Sequence, residues 1–163
     1  MIRNINETDP LNFEQEPLES NDYTIQEAVK EARRCLQCAV PQCRRGCPIN
    51  NEIPQFIHAL AFGNFGEAAN YIANNSDLPA ICGRVCPWEK QCEGACVLEK
   101  KGKHIEIGKL ERFVADIVMD ADIFPIKSDI KSNGKIAVIG SGPAGITAAY
   151  ELARRNYDVT VFE

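Results

Sequence analysis

A chain of 163 residues has room for one domain and part of a second. With 45% hydrophobic and 25% charged residues it is too apolar for a disordered segment, and a net charge of −5 argues against a nucleic-acid surface. No apolar run approaches the roughly 18 residues that span a bilayer, and Met1 to Pro10 contain no apolar export segment, so no membrane association and a cytoplasmic location are expected.

Residues 1–22 are polar and acidic without a clear period and read as an N-terminal arm. Thr24-Ile-Gln-Glu27 is a capping box, in which a hydroxyl caps the first turn and a carboxylate reaches back. Ile25, Ala28, Val29, Ala32 and Leu36 recur at helical spacing and predict a helix running into Cys35. Asn51 is a candidate cap for a second helix buried through Ile53, Phe56, Ile57 and Leu60 and stopped by Gly63. Asn64 is a candidate cap for a third, with Phe65, Ala68, Ala69 and Ile72 inside, and Asn74-Asn-Ser-Asp77 predicts a turn. Short, broken helical pieces follow, then a helix from Gly108 to Ala121 buried through Leu110, Phe113, Val114 and Ile117. Together these make a helical domain over 23–125, with a polar linker over 126–134.

The chemistry is concentrated in the cysteines. Cys35, Cys38, Cys43 and Cys47-Pro48 are spaced C-x2-C-x4-C-x3-C-P, and Cys82, Cys86-Pro87, Cys92 and Cys96 are spaced C-x3-C-P-x5-C-x3-C. These eight are all the cysteines in the chain. Thiolate runs closed by Cys-Pro hold cubane iron–sulfur clusters, and the last cysteine of such a run can serve the other cluster. Three plainer readings compete. A disulfide framework needs an oxidising compartment. Zinc favours paired C-x2-C knuckles or mixed Cys/His sites, yet only Cys35 and Cys38 have that spacing, and His58 and His104 lie outside both runs. Scattered buried thiols would not fall in two tight groups.

Residues 135–163 follow a different pattern: a strand at Lys135–Ile139, a glycine loop Gly140-Ser-Gly142-Pro143-Ala144-Gly145, a helix from Ile146 to Asn156, and a strand at Asp158–Phe162. Glu163 lies 23 positions after the first glycine. A G-x-G-x-x-G loop after a strand, opening a helix and followed at that distance by an acid, is the dinucleotide fingerprint. Its glycines permit a tight turn, close approach of a pyrophosphate and close helix–strand packing, and Glu163 would hold a ribose hydroxyl. The pattern alone does not separate FAD from NAD. One helix and two strands leave both sheet edges open, so the unit is expected to be the truncated start of a larger sheet.

Cys35-Leu-Gln-Cys, Gly46-Cys-Pro-Ile, Ile53-Pro-Gln-Phe-Ile57, Leu78-Pro-Ala-Ile-Cys-Gly-Arg-Val-Cys-Pro87, Gln91-Cys-Glu-Gly-Ala-Cys96 and Ile107-Gly-Lys-Leu-Glu-Arg-Phe-Val-Ala-Asp116 together resemble the N-terminal part of the glutamate synthase small (beta) subunit. The same module is similar in dihydropyrimidine dehydrogenase and in the large subunit of NADH-dependent ferredoxin–NADP oxidoreductase. The resemblance covers about residues 20–163. It implies a mainly α fold: a helical, α-helical-ferredoxin-like domain with two clusters, followed by a truncated βαβ unit of Rossmann type. It also implies an enzyme in which NAD(P)H reduces FAD and electrons pass singly through two [4Fe–4S] clusters to a partner.

Carried over by motif, the first cluster is expected on Cys35, Cys38, Cys43 and Cys96, and the second on Cys47, Cys86, Cys92 and Glu111. Cys82 becomes a structural thiol. Gly140, Gly142, Pro143, Ala144, Gly145 and Glu163 match the family's FAD loop, and no hydride-transfer site is present in this stretch. The partner implied is the glutamate synthase large subunit or another flavoprotein electron acceptor. The alternatives are the large subunit of an electron-bifurcating NADH-dependent ferredoxin–NADP oxidoreductase and a non-catalytic metal-binding docking domain. Arg33, Arg34, Arg44, Arg45 and Arg84 crowd the cysteine runs and are candidates for offsetting cluster charge. His58 and His104 read as ordinary surface or core histidines, and Trp88 as packing beside Cys86-Pro87.

Overall fold

A computed structural model describes residues 23–120 and 133–163. The N-terminal arm and most of the linker lie outside those residues. The first stretch is helical: α1 (Ile25–Ala32), α2 (Gln42–Gly46), α3 (Ile53–Ala61), α4 (Phe65–Ala73), α5 (Pro79–Val85) and α6 (Ile107–Asp120). Two 3-10 turns, Trp88–Lys90 and Glu99–Lys101, lie between α5 and α6.

The core forms where the apolar stripes meet. α3 packs on α1, α2 and α4, and α6 packs on α1, α4 and α5. The predicted α3 stripe, Ile53, Phe56, Ile57 and Leu60, is fully buried with Ala28, Ala32, Ala68, Ile72, Ile105, Ile107, Leu110 and Val114. Burial of one such Leu, Ile or Phe stabilises by about 1.5–3 kcal/mol, which anchors the helices that carry the cysteine loops. Gly63, at φ +78°, closes α3 as a left-handed glycine does. Phe113 and Ile117 on α6 are only partly buried.

Several local expectations are corrected. α1 stops at Ala32 instead of running into Cys35, and Leu36 is exposed. The cause is tertiary. Arg34 donates to the carbonyls of Lys103 (2.8 Å) and His104 (3.2 Å), and the N–H groups of Arg34 and Cys35 turn to carbonyls three residues back. Asn51 is not the cap of α3. Glu52 holds that position, and the Asn51 Oδ1 accepts the Glu52 N–H at 2.8 Å. Asn64 does precede α4, but its side chain faces Glu67 instead of a backbone N–H.

The second stretch is β1 (Lys135–Ile139), α7 (Pro143–Arg154) and β2 (Asp158–Phe162). The strands pair in parallel, Lys135 with Asp158 through Ile139 with Phe162, and α7 packs against both. α7 begins at Pro143, ahead of the predicted Ile146, because proline is preorganised for the first helical position. Among the described residues no helix is long and apolar enough to cross a membrane.

Candidate metal centre

Cys35 and Cys38 leave α1 on an irregular stretch in which Gln37 takes φ 48°, Cys43 rides on α2, and Cys96 follows the second cysteine turn. These four thiols line one cavity, walled by Pro41, Pro54, Ile57, Leu98, Ile105 and Ile107. Burial pushes the Cys43 thiol up to about 11, and the charges of Cys35, Cys96 and Cys38 add to the shift. Cys35 is raised for the same leading reason, with Cys38 and Cys96 adding to it. Four thiolates gathered there without a cation would repel one another in a poorly solvated place. A cationic iron–sulfur core would reverse that cost.

The remaining candidates gather separately. Cys47 ends α2, Cys86 ends α5, Cys92 lies in the turn beyond, and Glu111 sits on α6. Burial drives Cys92 up to about 12, helped by the charges of Glu93, Glu111 and Cys47. Cys86 rises to about 11, first by burial, then through Cys82, Glu111 and Cys47. Glu111 is 9% exposed, and burial alone pushes its carboxyl up to about 7. Among the described residues it has no hydrogen-bond or ion-pair partner. A buried carboxylate is costly unless paired or bound to a metal, so its position fits an iron ligand.

Cys82 stands at the edge of this second group. It neighbours Cys86, whose thiol it helps to raise, and it accepts a long contact from the Ser76 hydroxyl at 3.9 Å. The two runs interlock through a close approach at Gly46, where an added Cβ would lie 2.7 Å from the Gln91 carbonyl and 2.8 Å from the Ala95 methyl. The four thiols of the first group line a cavity, and among the described residues no three Cys, His, Asp or Glu side chains are arranged to hold a single metal ion. Soft thiolates around such a space suit an iron–sulfur cluster.

Most of the predicted basic face is engaged elsewhere. Arg33 donates to the Ala61 carbonyl, Arg34 pairs with Glu31, and Arg44 bonds Asn50 at 3.1 Å. Arg84 forks onto both Asp116 oxygens at 2.9 and 2.8 Å. Trp88 stacks on Gly108, where a Cβ would come within 2.4 Å of the indole, and its Nε1 donates to the Cys82 carbonyl at 3.2 Å. His58 is exposed against Phe62, whereas His104 bridges Glu93 (3.0 Å) and Glu99 (2.6 Å). Sequence reading passed over Glu93. Its only signal was an acid placed directly after a candidate ligand.

In the glycine loop, Gly140 has φ +100° and donates its N–H to the Phe162 carbonyl at 2.7 Å. A Cβ at Gly145 would lie 2.0 Å from the Gly140 carbonyl oxygen, while one at Gly142 would meet nothing within 4 Å. Tight turn, close packing and an open approach thus fall on the three glycines as the fingerprint requires. Pro143 and Ala144 form the first turn of α7. Glu163 turns its carboxylate onto the Ser141 N–H at 2.6 Å, and hydrogen bonding from the Ser141 side chain, then from that N–H, holds it below the usual carboxylate range.

Residues 12–123 match the family described as dihydropyrimidine dehydrogenase domain II, 4Fe-4S cluster, and the chain belongs to that family. Residues 138–163 match the NAD(P)-binding Rossmann-like domain. Among relatives, the chain is 40% identical over 141 residues to the NAD-dependent dihydropyrimidine dehydrogenase subunit PreT of Escherichia coli K12, covering 86% of this chain and 34% of that protein. It is 38% identical over 138 residues to the glutamate synthase [NADPH] small chain of the same organism, covering 84% of this chain and 29% of that protein. To the glutamate synthase [NADPH] small chain of Azospirillum brasilense it is 35% identical over 143 residues, covering 86% of this chain and 30% of the relative. The chain therefore spans about a third of the length of these relatives.

Proposed function

We propose that this chain is the electron-transfer portion of an NAD(P)H-dependent flavin and iron–sulfur oxidoreductase, with two [4Fe–4S] clusters. Cys35, Cys38, Cys43 and Cys96 hold the first, and Cys47, Cys86, Cys92 and Glu111 hold the second. The observation that carries this reading is the gathering of four thiols around one cavity beside a second group completed by a buried, unpartnered carboxylate. When bound, the clusters supply one-electron steps between a two-electron donor and a distant acceptor. The protein's own contribution is to present desolvated thiolates, exclude water through Pro54, Ile57, Leu98, Ile105 and Ile107, and hold the two donor groups on one packed helical frame.

The glycine loop and Glu163 support FAD binding in the whole protein, with a pyrophosphate over the open Gly142 and the N-terminus of α7. Displacing the Ser141 N–H from Glu163 would free that carboxylate for a ribose hydroxyl. The electrons are then passed to a larger partner subunit, for which the glutamate-forming subunit of glutamate synthase is the first choice. A pyrimidine-reducing partner is the second reading, favoured by the 40% identity to PreT. By this reading the 163 residues alone house clusters without oxidising a nicotinamide.

Anaerobically prepared protein should contain about eight irons and eight acid-labile sulfides per chain, as two cubanes require. Stoichiometric zinc without sulfide would refute the proposal. Co-purification with either candidate subunit separates the two partners.

A further inference from the structure

Beyond the ligands themselves, we infer that Glu93 is a positioning residue that ties the Cys92 loop to the helix carrying Glu111. This rests on the ligand assignment proposed above. Glu93 directly follows Cys92 and is 6% exposed, although a buried carboxylate is normally avoided. Both of its oxygens are used. Oε1 accepts the Gly108 N–H at 2.9 Å, and Oε2 meets His104 Nε2 at 3.0 Å.

Gly108 is the second residue of α6, where backbone N–H groups have no partner within the helix. An acceptor there satisfies an orphan donor, and a negative charge there is favoured by the helix dipole. Glu111 lies three residues later, one turn along nearly the same face. The Gly108 bond therefore sets the height and rotation of α6 relative to Cys92, and with it the separation of two donors of the second group.

His104 completes the brace from the other side. Its Nδ1 meets Glu99 at 2.6 Å, so one imidazole holds Glu93 from the loop that precedes α6. The Trp88 indole packs closely on Gly108 as well. The apolar core around Leu110 and Val114 already anchors α6 to its neighbours, and Glu93 is no part of that core. Its two bonds instead join the cysteine loop to the helix start.

The test is Glu93→Ala against Glu93→Gln in the full-length protein, prepared anaerobically, with Cys92→Ser as reference. Readouts are iron and sulfide content, the electron paramagnetic resonance spectrum of the reduced protein, and far-ultraviolet circular dichroism. Glu93→Ala should halve the iron, from about eight to about four per chain, losing the same signal that Cys92→Ser loses while helicity is kept. Glu93→Gln retains an acceptor for the Gly108 N–H and should restore the wild-type content and spectrum. Full cluster content in Glu93→Ala, collapse of helicity with loss of both clusters, or failure of Glu93→Gln to rescue would each overturn the positioning role. Wild-type protein lacking stoichiometric iron and sulfide would sink the ligand assignment, and the positioning role with it.

Discussion

Gly83→Ala is a one-methyl probe of how closely α5 and α6 must approach. Gly83 is buried on α5, and an added Cβ would lie 2.7 Å from the Arg112 nitrogen and 2.8 Å from its Cα and Cβ. Carbon contacts settle at about 3.5–4.0 Å, so the two helices must part by roughly 0.7–1 Å. The obstructing atoms are mostly backbone and cannot rotate away. Overpacking of this kind costs about 1–3 kcal/mol, and the upper end applies here. The better helix propensity of alanine returns about 1 kcal/mol, leaving a net loss of about 2 kcal/mol.

The displacement has a second consequence. α5 leads into Cys86, and Arg112 adjoins Glu111, so the parting opens the second donor group and leaves the first alone. Urea unfolding of anaerobic protein, with iron and sulfide counted on the same samples, measures both effects. Gly66→Ala is the control, because a Cβ there meets nothing within 4 Å on the helix α4. That change should stabilise by about 0.5–1 kcal/mol. If Gly83→Ala stays within about 0.5 kcal/mol of wild type and keeps the second cluster's spectrum, the close-approach reasoning is wrong.

Cys82→Ser should leave both clusters assembled, whereas Cys96→Ser should lose the first, because its cavity keeps three thiols; equal cluster loss in the two variants would refute the assignment. In iron-free protein, burial raises the Glu111 carboxyl from about 4.5 to about 7, so folding favours its neutral form. The sign follows for this group alone: its contribution is fully kept below about pH 4.5 and falls by about 3 kcal/mol as pH rises from there through 7, so Glu111→Gln should remove most of that fall between urea titrations at pH 5 and 8. Gly145→Ala places a methyl 2.0 Å from the Gly140 carbonyl and should weaken flavin retention by the full-length protein tenfold or more (about 1.4 kcal/mol) with cluster content unchanged; wild-type flavin content would contradict the loop geometry.

Much of this protein was determined by spacing along the chain, because the forces concerned act locally. Thr24 and Glu27 close their capping box through contacts three residues apart, the α3 stripe follows from helical periodicity, and the glycine loop follows from the backbone its turn requires. Two cysteine runs were equally visible as metal chemistry. Their division came from the resemblance and not from spacing. Cys96 shares a cavity with the first run and Cys47 stands near Cys86 and Cys92, an exchange made by packing α2 against the second turn at Gly46. Spacing cannot express such a contact. The same holds for α1, which ends at Ala32 because Arg34 bonds carbonyls some 70 residues away. Glu111 was marked as a ligand by the resemblance and not by its spacing, and Glu93 carried no signal beyond its place after Cys92. Only burial by neighbouring elements, with Glu93 joined to Gly108 and His104 and Glu111 left without a partner, decides that their charges must be answered from inside the fold.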